Sequence, residues 1–226
     1  MPSLVCSIDD DPATQGCSEL LQQVLRAASI AAGLTLDENA RLNDSRFYNV
    51  FPGEHYRLLA ALVKSCQAKE IIDIGTYTGM SSRVLLDASP SARVTTFDVI
   101  PWDQFDSHLE GKDFASGRLR QELSDLSDPL VFEQSISRLA SADIIFCDAP
   151  KDGKFEYKFL LNLSKARLEA KPRLLVLDDI QFLNMKNAWS GIKSPKFDAT
   201  CFGHWSGTGI VDISNGLELA PAFAPE

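Results

Sequence analysis

Residues 70–86 constrain the fold more than any other stretch. Glu70-Ile71-Ile72-Asp73-Ile74 is a short run dominated by β-branched residues, the pattern of a buried strand. It breaks at Gly75, passes through Thr76-Tyr77-Thr78 to Gly79, and resumes as Ser81-Ser82-Arg83-Val84-Leu85-Leu86 with helical apolar spacing. The predicted order is strand, glycine turn, helix. Glycines in such a turn let the backbone approach a ligand closely, and the helix N-terminus beyond offers N–H groups without intrahelical partners. A nucleotide-type ligand is therefore expected above the turn. Gly75 and Gly79 give G-x-x-x-G. The middle glycine that makes room for a pyrophosphate in G-x-G-x-x-G is missing, which argues against a nicotinamide cofactor.

The remaining chain reads as strands alternating with helices. Ser18 is placed to cap a helix reaching Gly33, residues 34–50 have room for a short one, and 55–67 form an amphipathic one. Strands are expected at 92–98, 142–148 and 173–179, with a short edge strand at Leu130-Val131-Phe132-Glu133. Helical fragments are expected around 114–126, and helices at 155–170 and 185–192. A hairpin over 197–205 and 208–213, turning at Ser206-Gly207, closes the chain. This is the pattern of an α/β protein with a mostly parallel sheet. One domain is expected, with an N-terminal arm over 1–50, a core over 51–213 and a tail over 214–226. Ligands of such sheets bind beyond the C-terminal strand ends, which here carry Gly75, Asp98, Asp148 and Asp178-Asp179.

The net charge of −9 and the lack of a long basic run disfavour nucleic acid or an anionic membrane as the main partner. The five scattered cysteines include no C-x-x-C pair, so neither a disulfide framework nor a zinc signature is present. No apolar run approaches bilayer length, and a cytoplasmic setting is expected.

The phrase Asp73-Ile74-Gly75-Thr76-Tyr77-Thr78-Gly79-Met80-Ser81 resembles motif I of class I S-adenosylmethionine-dependent methyltransferases. It is most similar to the small catechol and caffeoyl-CoA O-methyltransferases. Two further phrases support the resemblance, Asp148-Ala149-Pro150-Lys151 as an Asp-x-x-Lys motif and the acidic pair Asp178-Asp179. The resemblance implies a Rossmann-like fold with a seven-stranded sheet, an antiparallel C-terminal hairpin and helices on both faces. It implies that Asp98 holds the ribose of S-adenosylmethionine. Asp73, Gly75, Thr76, Tyr77, Gly79, Ser81, Val99 and Asp148 would also contact the cofactor. Gln134 and Ser135 would lie near the adenine, and Glu54 in the loop covering the cofactor.

It further implies a divalent ion, Mg²⁺ foremost, on Asp148, Asp178 and Asp179, with Lys151 as general base toward a small-molecule hydroxyl. Desolvation beside a metal can lower a lysine pKa far enough for that role. Hard oxygen ligands suit Mg²⁺. Two adjacent acceptor oxygens could chelate such an ion, so a vicinal diol, a catechol or a sugar is the expected acceptor. A homodimer is expected by the same analogy. A metal-independent methyltransferase and a non-catalytic S-adenosylmethionine-binding protein remain open. His55, His204, Trp102 and Trp205 are expected to serve packing.

Overall fold

The computed structural model describes residues 14–36, 48–152, 154–202, 204–221 and 223. In chain order the elements are α1 (Gln15–Gly33), α2 (His55–Cys66), β1 (Glu70–Ile74), α3 (Met80–Asp87), β2 (Arg93–Asp98) and α4 (Gly111–Ala115). They continue as β3 (Leu119–Leu123), α5 (Pro129–Ser141), β4 (Ile144–Cys147), α6 (Phe155–Lys165), β5 (Leu174–Asp178), α7 (Met185–Ser190), β6 (Lys196–Asp198) and β7 (Thr208–Asp212).

The seven strands make one sheet in the order β3-β2-β1-β4-β5-β7-β6. β1 through β5 run parallel, and β7 runs antiparallel between β5 and β6. Alternate side chains divide between two cores, as the two-residue period of a strand requires. Ile71, Ile144, Phe146, Leu174 and Val176 pack with Leu20 and Val24 of α1, Leu58 and Leu62 of α2, and Leu85 of α3. Their neighbours Ile72, Ile145, Cys147, Leu175 and Leu177 pack with Phe132 and Leu139 of α5, Phe159 and Leu163 of α6, and Met185 of α7. Burial on both faces explains why β4 and β5 read as apolar runs and why β1 departs from one only at Glu70 and Asp73.

Three expectations are corrected. α1 begins at Gln15 rather than after Ser18, because Thr14 Oγ1 accepts from Cys17 N at 3.2 Å and caps the earlier turn. The segment Leu119–Leu123, expected to be helical, is the edge strand β3, in parallel register with β2. Its sequence, Leu-Arg-Gln-Glu-Leu, is polar because only Leu119 of this edge strand is buried. Leu130–Glu133, expected to be a strand, lies inside α5. Asp128 accepts from Leu130 N at 2.8 Å, Pro129 occupies the first turn, and Phe132, Ser135 and Leu139 form the buried stripe. Most of the helix expected within 34–50 falls outside the described residues.

Strand order reverses between β1 and β4, so a crevice opens above their C-terminal ends. Among the described residues no helix is long and apolar enough to cross a membrane.

Candidate functional site

The glycine turn is locked to the neighbouring strand. Gly75 has φ +99°, and a Cβ there would stand 2.0 Å from the carbonyl oxygen of Asp148. Gly79, at φ +81°, would place a Cβ 2.3 Å from Leu109 Cγ. Glycine is therefore required at both positions by backbone angle and by contact.

Not every motif residue faces a ligand. Asp73 is fully buried beneath the turn, where it accepts hydrogen bonds from Ser81 Oγ at 3.1 Å, from Ser82 Oγ, and from Thr96 Oγ1 at 3.4 Å. Thr76 Oγ1 lies 2.8 Å from Thr96 Oγ1 and accepts from Gln121 Nε2 at 3.0 Å. Asp73, Thr76 and Ser81 thus tie β1 to β2 and α3. Burial pushes the Asp73 carboxyl up to about 7 against the pull of its serine donors.

That shift has a defined sign. The folded state holds the Asp73 proton more tightly than the unfolded chain, so stability falls as pH rises from about 4 to about 7. The difference in urea stability between Asp73→Asn and the unmodified chain should shift in the variant's favour by a few kcal/mol over that window. A pH-independent difference would refute this assignment.

Above the turn lies a cavity of about 600 Å³, lined by Gly75, Tyr77, Asp98, Val99 and Asp148 of the expected residues. Ile100, Phe105, Ser124, Asp125, Ser127 and Phe155 complete much of the wall. Asp98 is fixed at the end of β2. Its Oδ2 accepts from Tyr77 N at 3.0 Å, and its Oδ1 accepts from Val99 N at 2.7 Å and Ile100 N at 3.1 Å. Gln134 and Ser135 do not line this cavity; they lie on α5, and Ser124, Asp125 and Ser127 of the loop after β3 line it. No sequence signal marked that loop, which follows the unrecognised strand β3.

At the far side of Asp148 the acidic strand ends meet Lys151. Its Nζ pairs with Asp148, lies 3.1 Å from Asp179 Oδ2 and 3.9 Å from Asp178 Oδ2. Burial alone would lower the Lys151 pKa, but Asp148 and Asp178 foremost, then Asp179, outweigh it and raise it above the ordinary value. The lowering expected of a general base rested on a divalent ion beside Lys151, and the carboxylates by themselves act in the opposite direction. Asp148, Asp178 and Asp179 do converge, but around an ammonium.

Two histidines read from sequence as packing residues stand beside this cluster. His55 opens α2, 3% exposed, with Nδ1 3.5 Å from Asp178 Oδ1. His204 has Nδ1 3.4 Å from Asp179 Oδ1 and Nε2 3.4 Å from Glu54 Oε2. Ser206 Oγ bridges His204 Nδ1 and Asp179. Desolvation lowers His55 to about 4, so its ring is neutral at neutral pH. Desolvation raises Asp178, reinforced by Asp148. Burial works against the Asp179 charge, but hydrogen bonds from His204 and Ser206 hold its pKa below the usual carboxylate range. The chain separation of these histidines left no spacing by which sequence could link them. Trp102 stacks on Phe114 and Trp205 is exposed.

No protein-family model matches this chain, and no curated protein matches it. Solved structures do. A Staphylococcus aureus protein provisionally named a caffeoyl-CoA O-methyltransferase superposes with a TM-score of 0.51 at 15% identity, over 88% of this chain and 99% of that one. A methyltransferase from Geobacter sulfurreducens superposes with a TM-score of 0.50 at 17% identity, over 87% of this chain and 97% of that one. The chain has the methyltransferase fold. Within that methyltransferase fold, the cavity lies at the C-terminal ends of β1 and β2, and the Lys151 cluster at those of β4 and β5.

Proposed function

We propose that the protein is an S-adenosylmethionine-dependent O-methyltransferase acting on a hydroxyl of a small molecule, a vicinal diol, catechol or sugar. The observation that carries this reading is Asp98, whose carboxylate is aimed into the cavity by three backbone N–H groups beside an apolar wall. A carboxylate so placed accepts both ribose hydroxyls of a nucleoside. Val99, Ile100, Phe105 and Phe155 offer apolar surface suited to a purine. The sulfonium end then points past Gly75 toward Asp148 and Lys151, where an acceptor oxygen has to lie in line with the methyl carbon.

Lys151 acts there as an ammonium. It donates to the acceptor oxygen and stabilises the negative charge that develops there as the hydroxyl proton passes to solvent water and the methyl group leaves the sulfonium as a neutral thioether. Asp148, Asp178 and Asp179 form an oxygen donor set that fits a divalent ion, but Lys151 Nζ stands among them. A bound cation would lower the acceptor pKa and orient it.

Calorimetric titration with S-adenosylmethionine, with Mg²⁺ and again with EDTA, tests the reading. Micromolar binding is expected in both buffers, with no binding of NAD. Asp98→Ala should weaken it at least about 30-fold, since two hydrogen bonds to a charged group are lost. Absence of S-adenosylmethionine binding by the folded chain would refute the reading.

A further inference from the structure

We propose that Glu54, His55 and His204 bind a divalent first-row transition ion, with Asp178 and Asp179 as the carboxylates that orient the two imidazoles. One ligand atom from each of Glu54, His55 and His204 lies within 4.8 Å of the others. The independent observation is His55. Its side chain is more than nine-tenths buried, yet neither ring nitrogen has a hydrogen-bond partner, and Asp178 Oδ1 opposite it is also without one. An unsatisfied buried imidazole calls for a partner, and a cation shared with the second imidazole and the carboxylate would supply one.

The hydrogen-bond pattern fixes which nitrogen of His204 faces Glu54. Ser206 Oγ donates to Asp179, so the oxygen accepts from His204 Nδ1–H, and Nε2 stands 3.4 Å from Glu54 Oε2. Burial works against the charged ring, but Asp179, Asp178 and Glu54 raise the His204 pKa, so an ion bound there displaces the Nε2 proton. Two ligands each about 2.1 Å from an ion with tetrahedral angles stand about 3.4 Å apart. Metal-bound histidines characteristically present their other nitrogen to a carboxylate, and here Asp178 faces His55 Nδ1 while Asp179 faces His204 Nδ1.

Two imidazoles and one carboxylate suit iron, cobalt, nickel or zinc better than Mg²⁺, and leave positions open for an acceptor oxygen. This placement also leaves Lys151 as the cation of the acidic cluster. Ion binding stands apart from methyl transfer; only the ion's role at the acceptor rests on the function proposed above.

The test is titration of the chelator-stripped full chain with Co²⁺, read by visible d–d absorption and by contact-shifted imidazole N–H resonances in proton NMR. Of the three histidines in the chain, two should give shifted resonances. His55→Ala and His204→Ala should each weaken Co²⁺ binding at least about tenfold, and Asp148→Asn by less than about threefold. No Co²⁺ binding, or binding without shifted imidazole resonances, would overturn the proposal. So would loss in Asp148→Asn with both histidine variants unaffected, which places the ion in the acidic cluster. Should the histidine variants fail to fold by circular dichroism, the NMR result on the unmodified chain decides. S-adenosylmethionine titration of the same samples judges the methyltransferase reading separately.

Discussion

Lys151→Met is expected to destabilise the protein by about 3–5 kcal/mol at neutral pH, the cost of removing one partner from a buried ionic cluster. The Lys151 side chain is 9% exposed, and its ammonium is the group that pairs with Asp148 and Asp179 and approaches Asp178. Without it three carboxylates face one another, two of them largely desolvated. Protonation relieves that repulsion, so the deficit should be largest at neutral pH and shrink as pH falls toward 4. Urea denaturation of both proteins across that range measures it. A constant deficit would mean that methionine disturbs packing rather than charge. In the folded fraction, kcat should fall at least about 100-fold while S-adenosylmethionine affinity stays within threefold. Equal losses in affinity and kcat would instead make Lys151 a cofactor-site residue.

Gly75→Ala is expected to be nearly as costly and to abolish cofactor binding. The new Cβ would meet the Asp148 carbonyl oxygen at 2.0 Å, a backbone atom that cannot move aside without displacing the end of β4. Gly117→Ala provides the control. Gly117 also has a positive φ, +69°, but a Cβ there meets nothing within 4 Å. It should lose only the about 1–2 kcal/mol of left-handed backbone strain. Gly75→Ala should lose at least about 2 kcal/mol more than this control. Parity between the two variants in thermal or urea denaturation would show that the turn at Gly75 yields more easily than its packing implies.

The buried elements were legible because their physics is local. β4 and β5 are apolar on both faces, so they appear as hydrophobic runs, β1 is broken only by the buried Asp73 after Glu70, and Gly75 and Gly79 mark a turn that other residues cannot make. The elements misread were those whose character depends on neighbours or on a cap. β3 is a polar strand only because β2 offers it an edge, and α5 overrides a strand-like Leu-Val-Phe because Asp128 caps it.

The same division holds in the site. Sequence by itself determined that Gly75, Asp98, Asp148 and Asp178-Asp179 reach one rim, since parallel strands deliver their C-terminal ends together. Tertiary structure alone decided what surrounds each of them there. It sent Asp73 and Ser81 into the interior, ringed the Lys151 ammonium with carboxylates, and brought His55 and His204 to within 5.4 Å of each other between ring centres. Charge state and ligand sets depend on distances between segments far apart in the chain, and no local pattern encodes those distances.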